Sequence, residues 1–225
     1  MINKQNSSER QVKAPNIPKK GLGRGLPEPS VQDQNYYSLL TLAQEDLSGQ
    51  DASHISFDQV ILQQIKLSAT IFNKLQLLDC RFTGCDIANA EWAESNFHRV
   101  ELLTCHCTGF RAIEAQFQDV HFKECHATLA QFRFSMFKNI RFEHCDLSEA
   151  DFQEATLSNV TFIDCNLRNA NFSGAKLVSV DLRGSQIEGL RAGFNELKGA
   201  ILDPTQALAF VRGMGIQVKL PTEEL

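Results

Sequence analysis

The sequence predicts an all-β fold, a quadrilateral parallel β-helix, and three observations carry that prediction. From Leu47 to Leu202 every fifth residue is apolar or alanine-sized, which gives 32 centres in one unbroken frame. Over most of that array the residue two before a centre is also apolar or small, as at Cys85, Ala90, Val100, Ala150, Val160 and Ala175. A period of twenty lies over the period of five: residues 145–164, CDLSEADFQEATLSNVTFID, align with residues 165–184, CNLRNANFSGAKLVSVDLRG.

Residues two apart on an extended backbone point to the same side, so each block of five turns two side chains inward and the one between them outward. Asp86, Glu91, Asp146 and Asn166 hold such outward positions. A helical period of 3.6 or a plain alternation would lose this frame within a few blocks. The chain must bend after each short extended piece. Gly49, Gly84, Gly109 and Gly174 lie two residues after a centre, as do Asn89, Asn139 and Asn159, residue types that tolerate positive φ. Twenty residues make one four-sided coil, so the 32 centres predict about eight coils, roughly 38 Å long at about 4.8 Å per coil. Phe132, Phe152 and Phe172 then stack on one side, and Phe122, Phe142 and Phe162 on another. Near 105–113 the large Phe110 sits in a small slot beside the small centre Ala112, which predicts a local bend or bulge.

The blocks ADFQE, ANFSG and CDLSE resemble the A(D/N)LXX motif of the pentapeptide-repeat family, and the in-frame array covers about 156 of 225 residues. The resemblance implies a right-handed helix. It further implies the role of the family's quinolone-resistance members, dimeric rods that imitate duplex DNA on DNA gyrase, a type II topoisomerase. The array lacks the loops that interrupt the coils of the plasmid-type resistance proteins.

Before the array, residues 1–35 carry Pro15, Pro18, Pro27, Pro29 and the stretch GLGRGLP, which predict a disordered arm. Lys4, Arg10, Lys13, Lys19, Lys20 and Arg24 against Glu9 and Glu28 make residues 1–30 of that arm +4, leaving −9 on the rest of a chain whose total is −5. The solenoid is expected over 36–202, with Tyr36–Leu42 as a first incomplete coil. Over 203–225, Asp203, Pro204 and Gln206 read as an N-cap, a first-turn proline and a capping-box partner. A short helix through Leu208, Phe210 and Val211 follows, ended by Gly213 and Gly215, then a strand at Ile216–Val218. That apolar tail resembles the helix-plus-strand segment through which gyrase-binding members of the family pair, which implies a homodimer; otherwise it is a cap that seals the core.

No run approaches the roughly 18 apolar residues of a membrane span and no signal-peptide pattern is present, so the reading places the chain in the cytoplasm, away from membranes. Cys85, Cys105, Cys125, Cys145 and Cys165 recur every twenty residues, a ladder of inward thiols in the role of small buried hydrophobes. In Cys105, His106, Cys107 the thiols point in and the imidazole out, so no metal is expected. The histidines, His54, His98, His106, His121, His126 and His144, take outward or turn positions. No nucleophile motif, cofactor loop or pocket is legible, so no enzyme activity and no cofactor are expected. Two surface features point to a protein partner. Asp51, Glu91, Glu94, Glu114, Asp151 and Glu154 share one side and its edge, an acidic stripe interrupted by Arg111, Arg191 and Lys74. Leu129, Phe134 and Met136 hold outward slots of one coil. Duplex DNA of ~38 Å would carry ~22 charges at one per ~1.7 Å; the body carries −9. An acidic body also disfavours direct nucleic-acid binding. The sequence therefore predicts a non-catalytic protein-binding solenoid, with a DNA mimic for gyrase as one form and a structural or adaptor scaffold as the other.

Overall fold

Four short sides and a tight corner after each make up every coil but the last. In the coil that starts at Leu75 the sides are 75–78, 80–83, 85–88 and 90–93, and the corners are Asp79, Gly84, Asn89 and Glu94, with φ of 53°, 62°, 54° and 54°. The computed structural model describes residues 11–28 and 30–219; Lys4, Glu9, Arg10 and Pro29 of the basic arm lie outside the described residues, as do 220–225.

All strand pairs are parallel. After β1 (Gly23–Arg24), β2 (Tyr36–Ser38), β3 (Leu40–Ala43), β4 (Ser56–Asp58) and β5 (Ile61–Gln63), the first two sides of each coil merge into one longer strand. These are β6 (Gln76–Thr83), β7 (Asn96–Leu103), β8 (Gln116–Lys123), β9 (Met136–Glu143), β10 (Thr156–Ile163) and β11 (Lys176–Asp181), and β12 (Ala200–Ile201) closes the stack. The register is twenty throughout: Phe97 faces Phe117 and Leu102 faces Phe122, and single bridges join Asp46 to Lys66 and Glu91 to Arg111 on the other sides. The result is a right-handed quadrilateral parallel β-helix of about nine turns, one more than the frame beginning at Leu47 predicts. Tyr37, 3% exposed, stacks on Phe57 at 5.3 Å, and with the buried Leu42 it completes a coil where the sequence predicts only a partial one.

The core is a set of vertical columns. Phe132 stacks on Phe152 at 5.1 Å and Phe152 on Phe172 at 4.7 Å; Phe122, Phe142 and Phe162 repeat the arrangement at 4.7 and 4.9 Å. The bulge expected near 105–113 is absent. His106 and Arg111 hold the same register as their neighbours, and Phe110 lies edge-on to Trp92 at 5.3 Å, filling the volume that Cys107 and Ala112 leave. The exchange of large for small is absorbed by side chains, so the backbone has no reason to move.

Every fifth residue from Gln34 to Gly189 takes φ between 49° and 77°, the left-handed region, and only six of these corners are glycine. For an L residue this costs about 1–2 kcal/mol. Along the body of the rod the corner N–H donates to a carbonyl of the next coil, as from Asn89 to Thr108 and from Glu94 to Ile113, both at 2.9 Å, so stacking offsets the local strain; at the C-terminal end Gly174 N and Gly184 N donate instead to the carboxylates of Glu196 and Asp203. The pattern ends in the last coil. Leu197 N donates to Gly193 O at 3.2 Å, Glu196 accepts from Gly193 N at 2.9 Å, and the segment curls in consecutive turns before β12 recovers the register at Val180–Ala200. The frame predicted as continuous to Leu202 is therefore broken at 192–199, and Ala192, Leu197 and Leu202 are only half-buried.

The arm also departs from its predicted disorder. Within 11–35, residues 11–18 run along the rod: Asn16 N donates to Asp79 Oδ1 at 2.7 Å, Gln59 Nε2 to Asn16 O at 2.8 Å and Lys13 N to Asp119 Oδ1 at 3.4 Å. β1 pairs with β3, and Val31 is buried. Prolines remove internal hydrogen-bond partners, which leaves the segment's own N–H and C=O groups free for the rod.

Candidate functional site

The acidic stripe lies on the fourth side of each coil and the corner after it. The outward column runs Asp51, Ile71, Glu91, Arg111, Gln131, Asp151, Asn171, Arg191, each bridged to the next. Glu94, Glu114 and Glu154 occupy the corner, all in the left-handed conformation. Stacking at twenty brings acids and bases into contact. Arg111 pairs with Glu91 at 2.8 Å, Lys74 with Glu94 at 3.7 Å and Arg133 with Asp151 at 3.7 Å. Among the described residues Asp51, Glu114 and Glu154 form no ion pair. The stripe is thus a chequered surface in which half of the predicted acids face a cation one coil away.

Leu129, Phe134 and Met136 are all about half exposed, but the coil separates them. Phe134 is a corner residue with the guanidinium of Arg133 at 5.6 Å from its ring centroid, and Met136 opens the next side. Leu129 occupies the corner before side 130–133, a full side away from Phe134.

The helix α1 (Pro204–Gly213) carries the predicted capping box: Asp203 Oδ1 accepts from Gln206 N at 2.9 Å and Gln206 Oε1 from Asp203 N at 3.0 Å. Gln206 does more than cap. Its Nε2 is buried and donates to Leu182 O at 2.6 Å and Ser185 O at 2.7 Å, filling carbonyls that a further coil would have filled. Leu208, Phe210 and Val211 are half-buried, while Ile216 and Val218 are 47% and 41% exposed. The strand expected at 216–218 does not form.

All seven cysteines are buried and free. Burial pushes the Cys80 thiol up to about 12. Along the ladder each thiol lies near a carbonyl, as Cys125 Sγ to Leu102 O at 3.3 Å. His106 is exposed between the inward Cys105 and Cys107, so the three do not converge. His106 and His126 stack with ring centroids 6.5 Å apart. Among the described residues no group of three ligating side chains could hold a metal, and no helix is long and apolar enough to cross a membrane.

One surface the sequence reading passed over is the corner that carries Asp79, Arg99 and Asp119. Arg99 grips Asp79 with two bonds of 2.6 Å. Burial opposes ionisation of Asp79, but Arg99 and the Asn16 N–H outweigh it and hold its carboxyl below the usual range. Asp79 and Asp119 are 4% and 2% exposed, because residues 11–18 cover them; at the next corner Gly84, Thr104, Glu124, His144 and Asp164 are all exposed. Prolines 15 and 18, three apart, with acids at a single corner position, were the signal in the sequence.

The model of the family described as pentapeptide repeat region matches residues 75–152 and 115–192, together more than half of the chain. No curated protein matches it. Solved structures do. Trypsin-treated QnrB1, a plasmid-mediated fluoroquinolone resistance protein, is 20% identical, with 83% of this chain and 100% of that one covered and a TM-score of 0.42. HetL, a pentapeptide repeat protein involved in heterocyst differentiation regulation from the cyanobacterium Nostoc, is 19% identical over 78% of this chain and 92% of its own, TM-score 0.32. The pectin methylesterase of Aspergillus niger is 8% identical over 84% and 82%, TM-score 0.39.

Proposed function

Since this chain belongs to the pentapeptide-repeat family, we propose that it works as a non-catalytic, protein-binding rod in the cytoplasm. The observation that carries this reading is the filled interior: Trp92 and eleven phenylalanines are its largest fully buried side chains, so what the coil offers a partner is its sides and corners. A substrate pocket would need space that these columns occupy.

The finer form of the reading takes DNA gyrase, or another type II topoisomerase, as the partner, bound by a homodimer whose acidic stripe stands in for DNA phosphates. Its support is the family resemblance, the −9 body, and the exposed Ile216 and Val218 beside α1. Glu91→Lys with Glu94→Lys then weakens inhibition of gyrase supercoiling without lowering the melting temperature, and light scattering reports a dimer. Supercoiling untouched by a large molar excess of protein removes this form.

The other form, an adaptor that holds a different protein, is favoured by the pairing of Glu91, Glu94 and Asp151 with Arg111, Lys74 and Arg133. A DNA mimic gains from unpaired acids, whereas a mixed-charge surface selects a partner of mixed charge.

A further inference from the structure

We propose that the corner formed by Asp79, Arg99 and Asp119 is a docking groove for an extended, proline-containing, cationic segment of a partner protein, and that residues 11–18 sit in it as a displaceable built-in occupant. This surface is separate from the acidic stripe and does not depend on the gyrase reading.

The argument begins with spacing. Asp79 and Asp119 are forty residues apart, two coils, or about 9.6 Å at ~4.8 Å per coil. They receive the N–H groups of Asn16 and Lys13, three residues apart. A polyproline II segment rises about 9.3 Å per three residues and presents every third residue to the same side. A β-strand has a similar rise but turns residues i and i+3 to opposite sides. The burial follows the three-residue period, with one addition: Val12, Pro15 and Pro18 are half-buried, as is Ile17 beside Pro18, and Lys13, Asn16 and Lys19 are exposed. The corner therefore reads backbone amides at the pitch of a proline-stiffened peptide, with the apolar residue before each amide turned toward the rod.

Recognition of backbone plus pitch is independent of most side chains, so other segments with this pattern fit. The chemistry of the occupant follows from charge as well. Lys13, Lys19 and Lys20 belong to the basic arm, and the body they lie on is acidic. Asp119 is the under-served acceptor: although 2% exposed, its side-chain contacts are the Lys13 amide and Asn139 Nδ2, both at 3.4 Å. A segment that brings a donor closer gains there over the chain's own. Beside Gln11–Ala14 the groove opens into a cavity of about 580 Å³, lined on the rod's side in part by Glu101, Arg141, Asn159 and Thr161. On the other side Gly21 (φ 86°) and Gly25 (φ 72°) flank β1, so the segment can swing out at Gly21 while β1 stays paired with β3.

The test uses the full chain and a fluorescent peptide of residues 11–20, QVKAPNIPKK. Lys13→Pro with Asn16→Pro removes the two donors from the built-in segment and leaves the groove intact. The peptide should bind this variant at least about ten-fold more tightly than the parent chain, whose own segment competes at high effective concentration. Adding Asp119→Ala, or Asp79→Ala with Asp119→Ala, should abolish the gain. A peptide with both prolines changed to alanine should bind about ten-fold or more weakly, because it must be ordered on binding. Circular dichroism and an unchanged melting temperature identify the variants that are folded, and the single Asp119→Ala variant keeps the test open if the double one is not. Equal binding to all the proteins, no binding to the folded double-proline variant, or equal binding of the alanine peptide would overturn the proposal.

Discussion

A single residue in this coil is defined by its place among five, and two places differ most in what a substitution does. Phe152 lies between Phe132 and Phe172 with no solvent exposure. Phe152→Ala should cost about 3–5 kcal/mol in chemical denaturation, because the stacked columns above and below cannot collapse into the space. Asp151, one residue earlier and outward, should cost less than about 1 kcal/mol as Asp151→Ala. Corners behave differently again. Leu129 holds φ 60° with its side chain about half exposed, so Leu129→Gly removes a left-handed penalty of about 1–2 kcal/mol against a glycine entropy cost of about 0.5–1. The melting temperature should stay level or rise; a clear fall would show that Leu129 contributes contacts of its own. Inward and outward places were legible in the sequence because burial selects residue type. Corners were legible only where glycine or asparagine stands, as at Gly84 and Asn89. At Phe134, Lys74 or Arg99 the conformation comes from stacking, and the residue type carries no trace of it.

Among the elements, α1 was legible from Asp203, Pro204 and Gln206, since a capping box is local chemistry. That Gln206 also reaches the carbonyls of Leu182 and Ser185 was not, because it depends on how the helix sits on the last coil. Gln206→Ala should therefore destabilise the rod by more than a surface helix cap does, about 2–3 kcal/mol, as it leaves the Ser185 carbonyl and the Asp203 N–H without partners and the Leu182 carbonyl with only the 3.2 Å bond from Ser185 N. Gln206→Glu should be no better, because it offers no N–H to those carbonyls. The strand expected at 216–218 failed for the reverse reason: apolar alternation was present, but β12 has no partner beyond it in that segment. The disorder expected of the arm fails on the same ground. Its composition excludes a core of its own, yet it needs none when the rod supplies acceptors at the right pitch.

At the scale of the whole molecule, charge pairs run up the sides because every outward residue meets the one twenty positions later. Glu143 gathers the most partners of these acids, with Arg141 at 2.9 Å, Lys123 at 3.1 Å and His121 at 3.2 Å. Burial raises its carboxyl, but the two cations outweigh burial and bring it from 4.5 down to about 2. A depressed folded value means that the contribution to stability is full above pH 4.5 and is lost as pH falls toward about 2. Thermal melts of the parent should fall across that window, and the fall should be shallower for Glu143→Gln. Equal slopes would place the acid sensitivity elsewhere, with Asp79 next in line.

The corner at every fifth residue gives this molecule a property that globular domains lack. Removing or adding five residues preserves which side chains face the core, yet it turns everything downstream by a quarter turn about the axis. Glu154 would leave the edge it shares with Glu94 and Glu114 for a neighbouring one, and Asp119 would no longer stand above Asp79. Only changes of twenty are silent in angle, and they alter the height between marks by about 4.8 Å. The surface of the rod is therefore a pattern written in two coordinates, bearing and height, that the sequence can shift independently while the interior stays closed.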